Sequence, residues 1–548
     1  MNGHDIVKTF DNVFINYRAG RGGAILRAVE SVALPPLIRR LLDPAVYPHP
    51  AADLRLVQTH ISFVVLAGDY AYKVKKPVDF GFLDYSTLAR RRYYCWQEVR
   101  LNSRFCPGAY LGVVAIRERD GQLSLDGPGR TVEYAVKMRR MPEERLLATL
   151  LARGEATPAL VQSIAERLAA IHARADHGPA IARLGAWGIR FAWRENFQQW
   201  QDFIGETISE EQDRLLRGYV DWFLRRRRLL LRRRAAQGRI RDCHGDLRSD
   251  SIYLSPEGEA CIMDCIEFNR RFRYTDVAGD VAFLAMDLEF RGRPDLAEAF
   301  VRRYVEASGD GEMLRVLDFY RCYRAAVRGK VEGFRLRQPE VPPAEREEAR
   351  ALARRYFELA CRYARRDWPV LLVTCGLAGS GKSSLAHALG LPVLSSDVVR
   401  KELAGLPPEE RRPAPLGRGL YSPHMTRRTY RALTERARGL LREGHWVVLD
   451  ATFHRRWQRE MARRLAREEG VRFLCLELTI DDETARERLQ RRERAGIGPS
   501  DARWEVYLAQ KEALEPPQEL PPGERLLLDA RRPVAELAAT VRSALGLA

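Results

Sequence analysis

The sequence predicts two units of different construction: an α+β N-terminal half, with a strand-rich lobe followed by a helical one, and an α/β C-terminal half built on a parallel sheet. Three observations lead there. The chain has 548 residues, whereas a single hydrophobic core stops growing at roughly 250 to 300. Short apolar runs broken by turns fill 56–140, and apolar residues recur at helical spacing afterwards. Beyond a proline-rich break, strands and helices alternate, the pattern of a parallel sheet covered on both faces.

In the first half, strands are expected at His60 to Ala67, at Tyr70 to Val74 after a Gly68-Asp69 turn, near Gly112 to Arg117 and at Val132 to Arg139. Helical spacing runs from Thr157 to Ala173 and from Glu210 to Ala236, and the apolar CIMDCIEF at 261–268 reads as a strand. The run RLRQPEVPPAE at 335–345 stops any helix, because each proline lacks an N–H, and a connecting helix follows to Arg366. The second half then reads VLLVTC at 370–375, a helix from Lys382, PVLSS at 392–396, a helix over 426–443, WVVLD at 446–450, a helix to about 469 and RFLCLEL at 472–478.

Hydrophobic residues make up 46% and charged residues 30%, and no apolar run approaches the roughly 18 residues of a membrane span. The N-terminal MNGHDIVKTFDN contains acids and no apolar core of a signal peptide, so a cytoplasmic protein without a membrane partner is expected. The nine cysteines are scattered and are expected to be core thiols. A net charge of +18 favours polyanions without specifying one. Its densest run, Arg225 to Arg228 and Arg232 to Arg234, is expected on one helix with a solvated charged face. Nothing in the pattern speaks to oligomeric state.

The segment Gly376-Leu-Ala-Gly379-Ser380-Gly381-Lys382-Ser383 matches GxxxxGK[ST] between an apolar strand and a helix, the context the motif requires. Its glycines let backbone N–H groups face phosphate, Lys382 is placed to reach the β and γ phosphates, Ser383 to ligate Mg2+, and the helix start, with Ser384, adds the positive end of a dipole. Asp397 and Arg400 follow the second strand on the same rim, where open α/β sheets bind ligands. Asp397 is a candidate base for an acceptor hydroxyl and Arg400 a candidate anion holder. Asp450 ends the third strand at that edge, and Arg488 and Arg492 lie on a helix placed to close over a nucleotide.

On GLAGSGKS, the DxxR of Asp397 and Arg400, the DATF at Asp450 and the arginine-bearing lid, residues 369–548 resemble small P-loop kinases of the gluconate-kinase, zeta-toxin and polynucleotide-kinase type. The resemblance implies a five-stranded parallel sheet, ATP with Mg2+, and phosphorylation of a hydroxyl.

In the first half, His244-Gly-Asp246 precedes Asp264 by 18 residues, which suits a base near an acceptor hydroxyl and a metal-holding carboxylate. Upstream, Lys73 and Lys75 share one strand face, one of them to pair with ATP phosphates, and Glu98 in CWQEVRLN is the natural partner for that lysine. Residues 50–335 resemble the aminoglycoside-phosphotransferase and choline-kinase branch of the protein-kinase-like fold. Stretches such as THISFVVLAGDYAYKVKKPVDFGFLDYSTL, CHGDLRSDSIYL and IMDCIEFN resemble a bacterial class in which that domain is fused to a C-terminal P-loop ATPase. The expected layout is an N-terminal helical extension at 1–50, a bilobal kinase-like domain at 51–335, a linker and connecting helix at 336–368 and the P-loop domain at 369–548. The pattern HGDxxxxN departs at Ser251, where the resemblance implies a metal-binding asparagine. The hydroxyl of Ser251 is an alternative ligand, and Asp250 or Glu267 are candidate substitutes.

The expected activity is transfer of the ATP γ-phosphoryl group to a small-molecule hydroxyl. Two other readings stand beside it. One is phosphorylation of nucleic-acid 5′-hydroxyl ends, which is less favoured. The other is an ATP-driven switch whose kinase-like half only recognises a partner.

Overall fold

The computed structural model describes residues 34–546 apart from 52, 60, 82, 256, 339–340, 408–409, 411–418 and 496–502, together with the strand pair 17–18. Most of the expected extension at 1–50, and His60, therefore lie outside the described residues.

The chain divides into two units, one of residues 1–217 with 228–363 and the other of 218–227 with 364–548. Among the described residues of the first unit, seven strands form one antiparallel sheet: β1 (Tyr17–Arg18), β2 (Arg55–Gln58), β3 (Ser62–Ala67), β4 (Tyr70–Lys75), β5 (Tyr110–Arg119), β6 (Gln122–Leu125) and β7 (Arg130–Arg139), in the order β1-β2-β3-β4-β7-β5-β6. Alternation explains the register. Leu56, Val65, Tyr72, Val74 and Ala135 bury one face with Ile38 and Leu41, and Ala71, Val136 and Met138 bury the other. Helix α1 (Leu88–Asn102), capped by the Thr87 side chain, crosses that second face.

The remainder of this unit is mainly helical, with α2 (Pro158–Arg174), α3 (Pro179–Gln199), the start of α4 (Glu210–Arg226), α5 (Arg228–Ala236), α6 (Ala278–Phe290), α7 (Leu314–Arg335) and most of α8 (Pro343–Asp367); the rest of α4 and α8 falls in the second unit. Two short strand pairs, β8 (Ile240–Asp242) with β11 (Tyr274–Asp276) and β9 (Ile252–Leu254) with β10 (Ala260–Ile262), frame the loops that carry Asp246 and Asp264. Helix α6 is apolar nearly all round and buried from Ala278 to Leu288, which makes it the rigid backing for those loops.

Three expectations change here. The single helix over 210–236 is two, interrupted at Arg227. Arg234 does not sit on a solvated face: it is fully buried, with Asp276 and Asp310 on its guanidinium at 2.7 and 2.9 Å. The strand over 261–268 ends at Ile262, because Asp264 takes a left-handed φ of 66° that cannot continue a ladder. The cysteines also divide: Cys106 and Cys261 form a disulfide, while the other seven are free and buried.

The second unit holds five parallel strands among its described residues, β12 (Val370–Cys375), β13 (Val393–Ser395), β14 (Val447–Asp450), β15 (Arg472–Thr479) and β16 (Arg525–Asp529), in the order β13-β14-β12-β15-β16. Every residue of β12 is buried, as a central strand covered on both faces requires. The helices are α9 (Lys382–Ala388), α10 (Ser396–Leu403), α11 (Pro423–Glu443), α12 (Arg456–Glu469), α13 (Asp482–Ala495), α14 (Trp504–Glu512) and α15 (Val534–Leu545). The strand order reverses beside β12, so the loop after it opens at the crevice where such sheets hold ligands. No described helix is long and apolar enough to cross a membrane.

Candidate active sites

In the first unit β4 presents Lys73 and Lys75 to α1, and one carboxylate serves both. Glu98 Oε1 lies 2.8 Å from Lys73 Nζ and Oε2 lies 2.6 Å from Lys75 Nζ. Beyond Glu98 the two lysines part. Lys73 reaches Asp264 Oδ1 at 2.7 Å, and the Asp264 side chain is 47% exposed. Lys75 turns inward to Glu267, which also accepts from the Tyr85 hydroxyl. Lys73 is thus the less enclosed of the two lysines, next to the exposed Asp264, and Lys75 belongs to a buried ion cluster. Burial opposes the charge on Lys73, but the carboxylates of Asp264, Glu98 and Glu267 outweigh it and hold the ammonium well above its usual range. Lys73 in turn holds the Asp264 carboxyl below the usual range, so both stay ionised. The left-handed turn at Asp264 is pinned by its N–H, which donates to the Tyr110 hydroxyl at 3.1 Å. Strain of this kind concentrates at functional positions.

The loop bearing Asp246 is fixed by a residue that no motif marked. Asp280 on α6 accepts from the backbone N–H of His244 at 2.7 Å and of Gly245 at 2.9 Å, and contacts His172 Nε2 at 3.3 Å. The other face of His172 bonds the Tyr304 hydroxyl at 2.7 Å. His244 Nε2 bonds the Met263 carbonyl at 2.8 Å, tying the Asp246 loop to the residue before Asp264. Cys243 comes close enough to His172 and Asp280 for the three to form a metal-type cluster. Since His172 and Asp280 are already engaged, we read it as an anchor for the loop. Asp246 is partly exposed, with Arg248 Nε at 3.4 Å, and lines a cavity of about 50 Å³.

Ser251, the alternative ligand at the asparagine position, has its hydroxyl proton engaged within its own turn. Its hydroxyl donates to the Arg248 carbonyl at 2.8 Å and closes its own turn, although its backbone carbonyl accepts from the Met263 N–H, one residue from Asp264. The candidate substitutes are also occupied, Asp250 by Arg248 and Arg291 and Glu267 by Lys75 and Tyr85. Of the metal ligands expected in this unit, only Asp264 offers an exposed carboxylate.

In the second unit the phosphate loop takes the form its sequence dictates. Gly376 and Gly379 have φ of 154° and 82°, and a Cβ on Gly376 would come within 2.7 Å of the Leu478 carbonyl. We expect Gly376→Ala to collapse nucleotide affinity and to cost about 1–3 kcal/mol through strain and that clash, read by titration with ATP and by urea unfolding. Ala378 N–H donates to Gln510 Oε1 at 2.9 Å, so α14 braces the loop from outside. Gln510 was not marked by any motif.

Lys382 Nζ donates to the Leu377 carbonyl at 2.7 Å within its own loop, and burial pulls its pKa down. Ser383 hydrogen-bonds Asp450, whose carboxyl is pushed up by burial and only partly brought back by that bond. A hydroxyl and a carboxylate meeting at the start of α9 form a hard-oxygen pair of the kind Mg2+ takes, so these residues fit that ion. Asp397 and Arg400, one turn apart on α10, pair with each other at 2.7 Å, and Arg400 lies over the Tyr421 ring. Ser384 is exposed beside Ser383. Arg488 approaches Gly381 and donates to the Ala530 carbonyl at 2.9 Å, while the positive charge of Arg492 is felt at Lys382.

These two constellations on these two folds define a kinase-class chain, a phosphotransferase unit joined to a P-loop kinase unit. Family comparison agrees: residues 112–321 match the Phosphotransferase enzyme family and residues 371–517 match an AAA domain. Over 444 residues the chain is 36% identical to the uncharacterized protein Rv2004c of Mycobacterium tuberculosis and to the uncharacterized protein Mb2027c of Mycobacterium bovis, covering 79% of this chain and 86% of each of them. It belongs to their family. Among solved structures, similarity is found to a gluconokinase from Sinorhizobium meliloti, at 22% identity over 33% of this chain and 93% of that one with a TM-score of 0.25. It is also found to the Plasmodium vivax ethanolamine kinase, at 12% identity over 56% and 81% with a TM-score of 0.36.

Proposed function

We propose that the protein transfers the γ-phosphoryl group of ATP to a hydroxyl of a small-molecule acceptor, and that each unit has its own ATP site. The observation that carries this is that each unit separately gathers a lysine, a carboxylate suited to a metal and a second carboxylate suited to a base. In the first unit these are Lys73, Asp264 and Asp246, with Glu98 orienting the lysine. In the second they are Lys382, Asp450 with Ser383, and Asp397. Phosphoryl transfer asks little covalent chemistry of a protein and depends on positioning and charge. Mg2+, when bound, would be held by Asp264 in the first unit and by Ser383 and Asp450 in the second, and would supply neutralisation of phosphate charge. Lys73 and Lys382 hold phosphate oxygens, and Asp246 and Asp397 accept the proton of the attacking hydroxyl. Arg400 orients Asp397 through their 2.7 Å pair.

The test is transfer of label from γ-labelled ATP into a metabolite extract, comparing the full chain with Asp246→Asn and Asp397→Asn. Each variant should lose its own set of labelled products, with kcat reduced by about 10²- to 10⁴-fold and ATP affinity retained. Unchanged products in both variants would defeat the reading, and a change in only one would leave the other unit without catalysis.

A further inference from the structure

The cavity beside Asp246 is lined by more cations than carboxylates. Its charged lining consists of Arg271, Arg324, Arg328 and Lys330 against the carboxylates of Glu195 and Asp246. One of the four cations is placed differently from the other buried cations of this unit. Arg91, Arg234 and Arg273 meet carboxylates, as buried charges ordinarily do. Lys330 on α7, 7% exposed, has no carboxylate within ion-pair distance among the described residues. Its ammonium donates to two amide oxygens, Asn196 Oδ1 at 2.7 Å and Gln199 Oε1 at 2.6 Å, and so retains a third N–H.

Asn196 supplies the second observation. Its oxygen is fixed by Lys330, so its amide nitrogen is a donor, and that nitrogen is buried with no hydrogen-bond partner among the described residues. The residue is 2% exposed and lines the same cavity. A buried donor left without an acceptor is unfavourable. Burial also pulls the Lys330 pKa down to about 8, the direction expected of a cation without a counter-charge. On the opposite wall Arg271 pairs with Glu195 at 3.2 Å and Arg324 spends its Nε on the Gly279 carbonyl. The Lys330 ammonium lies 5.6 Å from the Phe334 ring, and its third N–H and the Asn196 amide N–H meet no oxygen among the described residues; set among more cations than carboxylates, they ask for oxygen acceptors carrying negative charge.

We propose that this cavity binds an anionic group, carboxylate or phosphate, of the molecule whose hydroxyl faces Asp246, with Lys330 and Asn196 as its direct donors and Arg271 and Arg324 as the surrounding charge. As the site of a phosphoryl acceptor, it rests on the reading given above for the first unit. As an anion site, it does not.

The experiment measures binding of inorganic phosphate and, separately, of acetate to the full chain and to Lys330→Met by calorimetry. The phosphate loop contributes equally to both proteins, so the difference between them reports this cavity. Lys330→Met should weaken the site at least about tenfold for one or both anions, the scale of losing a charge-assisted hydrogen bond. Its unfolding midpoint in urea should not fall, because the variant removes a poorly compensated buried charge. A tenfold loss for phosphate alone assigns a phosphorylated acceptor, and for acetate alone a carboxylic one. Should Lys330→Met fail to fold, Arg271→Gln provides the same reading from the other wall. Equal binding by the full chain and the folded variant overturns the inference. Asp246-dependent labelling of neutral acceptors alone would also overturn it while leaving the phosphotransferase reading intact. Anion binding lost in Lys330→Met, with no Asp246-dependent labelling, would do the reverse.

Discussion

Lys382→Ala should lower kcat/KM for nucleotide turnover in the second unit by on the order of 10² to 10³, the scale seen when one preorganised charge stabiliser is removed from a transition state. The ammonium sits at the start of α9, where the helix end and the inward N–H groups already favour phosphate. Its partner in this structure is the Leu377 carbonyl, a bond inside the loop that a phosphate oxygen can exchange for. Lys382→Arg should fare little better, since a planar guanidinium does not fit a site shaped for a compact ammonium. The fold should survive both changes, because among the described residues Lys382 is in no ion pair whose loss would strand a buried carboxylate. Single-turnover transfer measured beside urea unfolding separates the two effects: activity falls and the unfolding midpoint stays.

The largest stability effect is expected from Asp280→Ala. Asp280 is fully buried and gathers the His244 and Gly245 N–H groups and the His172 ring. Its removal leaves two buried backbone donors unpaired and deprives His172 of its acceptor, which should cost about 3–5 kcal/mol. The urea midpoint checks this, and Asp246-dependent activity should disappear with it, since the loop carrying Asp246 loses its support. The pH response has a definite sign. Burial works against the charge on Asp280, but its bond to His172 and its electrostatic interactions with His172, His244 and Arg324 hold its pKa well below the ordinary value. Its contribution is therefore fully present above the unfolded carboxylate pKa of about 3.9 and is lost as pH falls from there toward the folded value. Acid unfolding curves should show that loss in the native chain, and Asp280→Asn should show a shallower decline over the same range.

Features whose causes lie close together in the chain are legible in the order of residues alone. The phosphate loop is one, because its glycines, its lysine and the strand and helix around it are consecutive. Four strands of the parallel sheet are another, since β12 to β15 follow from apolar runs of strand length separated by helices, while the fifth, β16, was implied only by the resemblance. That Lys73 and Lys75 share a face follows from the two-residue period of a strand. Their division of labour does not, because it depends on Glu267 and Tyr85, brought in from 192 and 10 residues away from Lys75.

The candidate sites are legible as residue types and only partly as arrangements. Asp246, Asp264 and Glu98 stand out through resemblance, and Lys73 does meet both Glu98 and Asp264. Ser251 has the composition of a ligand, yet its hydroxyl is drawn to a carbonyl three residues back, a choice between partners that spacing alone cannot make. Arg234 reads as one more charge in a basic run and is instead the centre of a buried ion cluster.

The sequence by itself therefore determined two units, the phosphate loop, the parallel sheet of the second unit and the residue types of the first. Those rest on period, turn chemistry and local spacing, which are properties of neighbouring residues. Only the tertiary structure decided that Asp280 holds the loop carrying Asp246, that Lys73 meets the exposed Asp264 while Lys75 is enclosed with Glu267, and that Lys330 and Asn196 line the cavity beside Asp246. Hydrogen bonds and charge pairs inside a core are settled by which groups meet across it, and those meetings join residues tens to hundreds of positions apart.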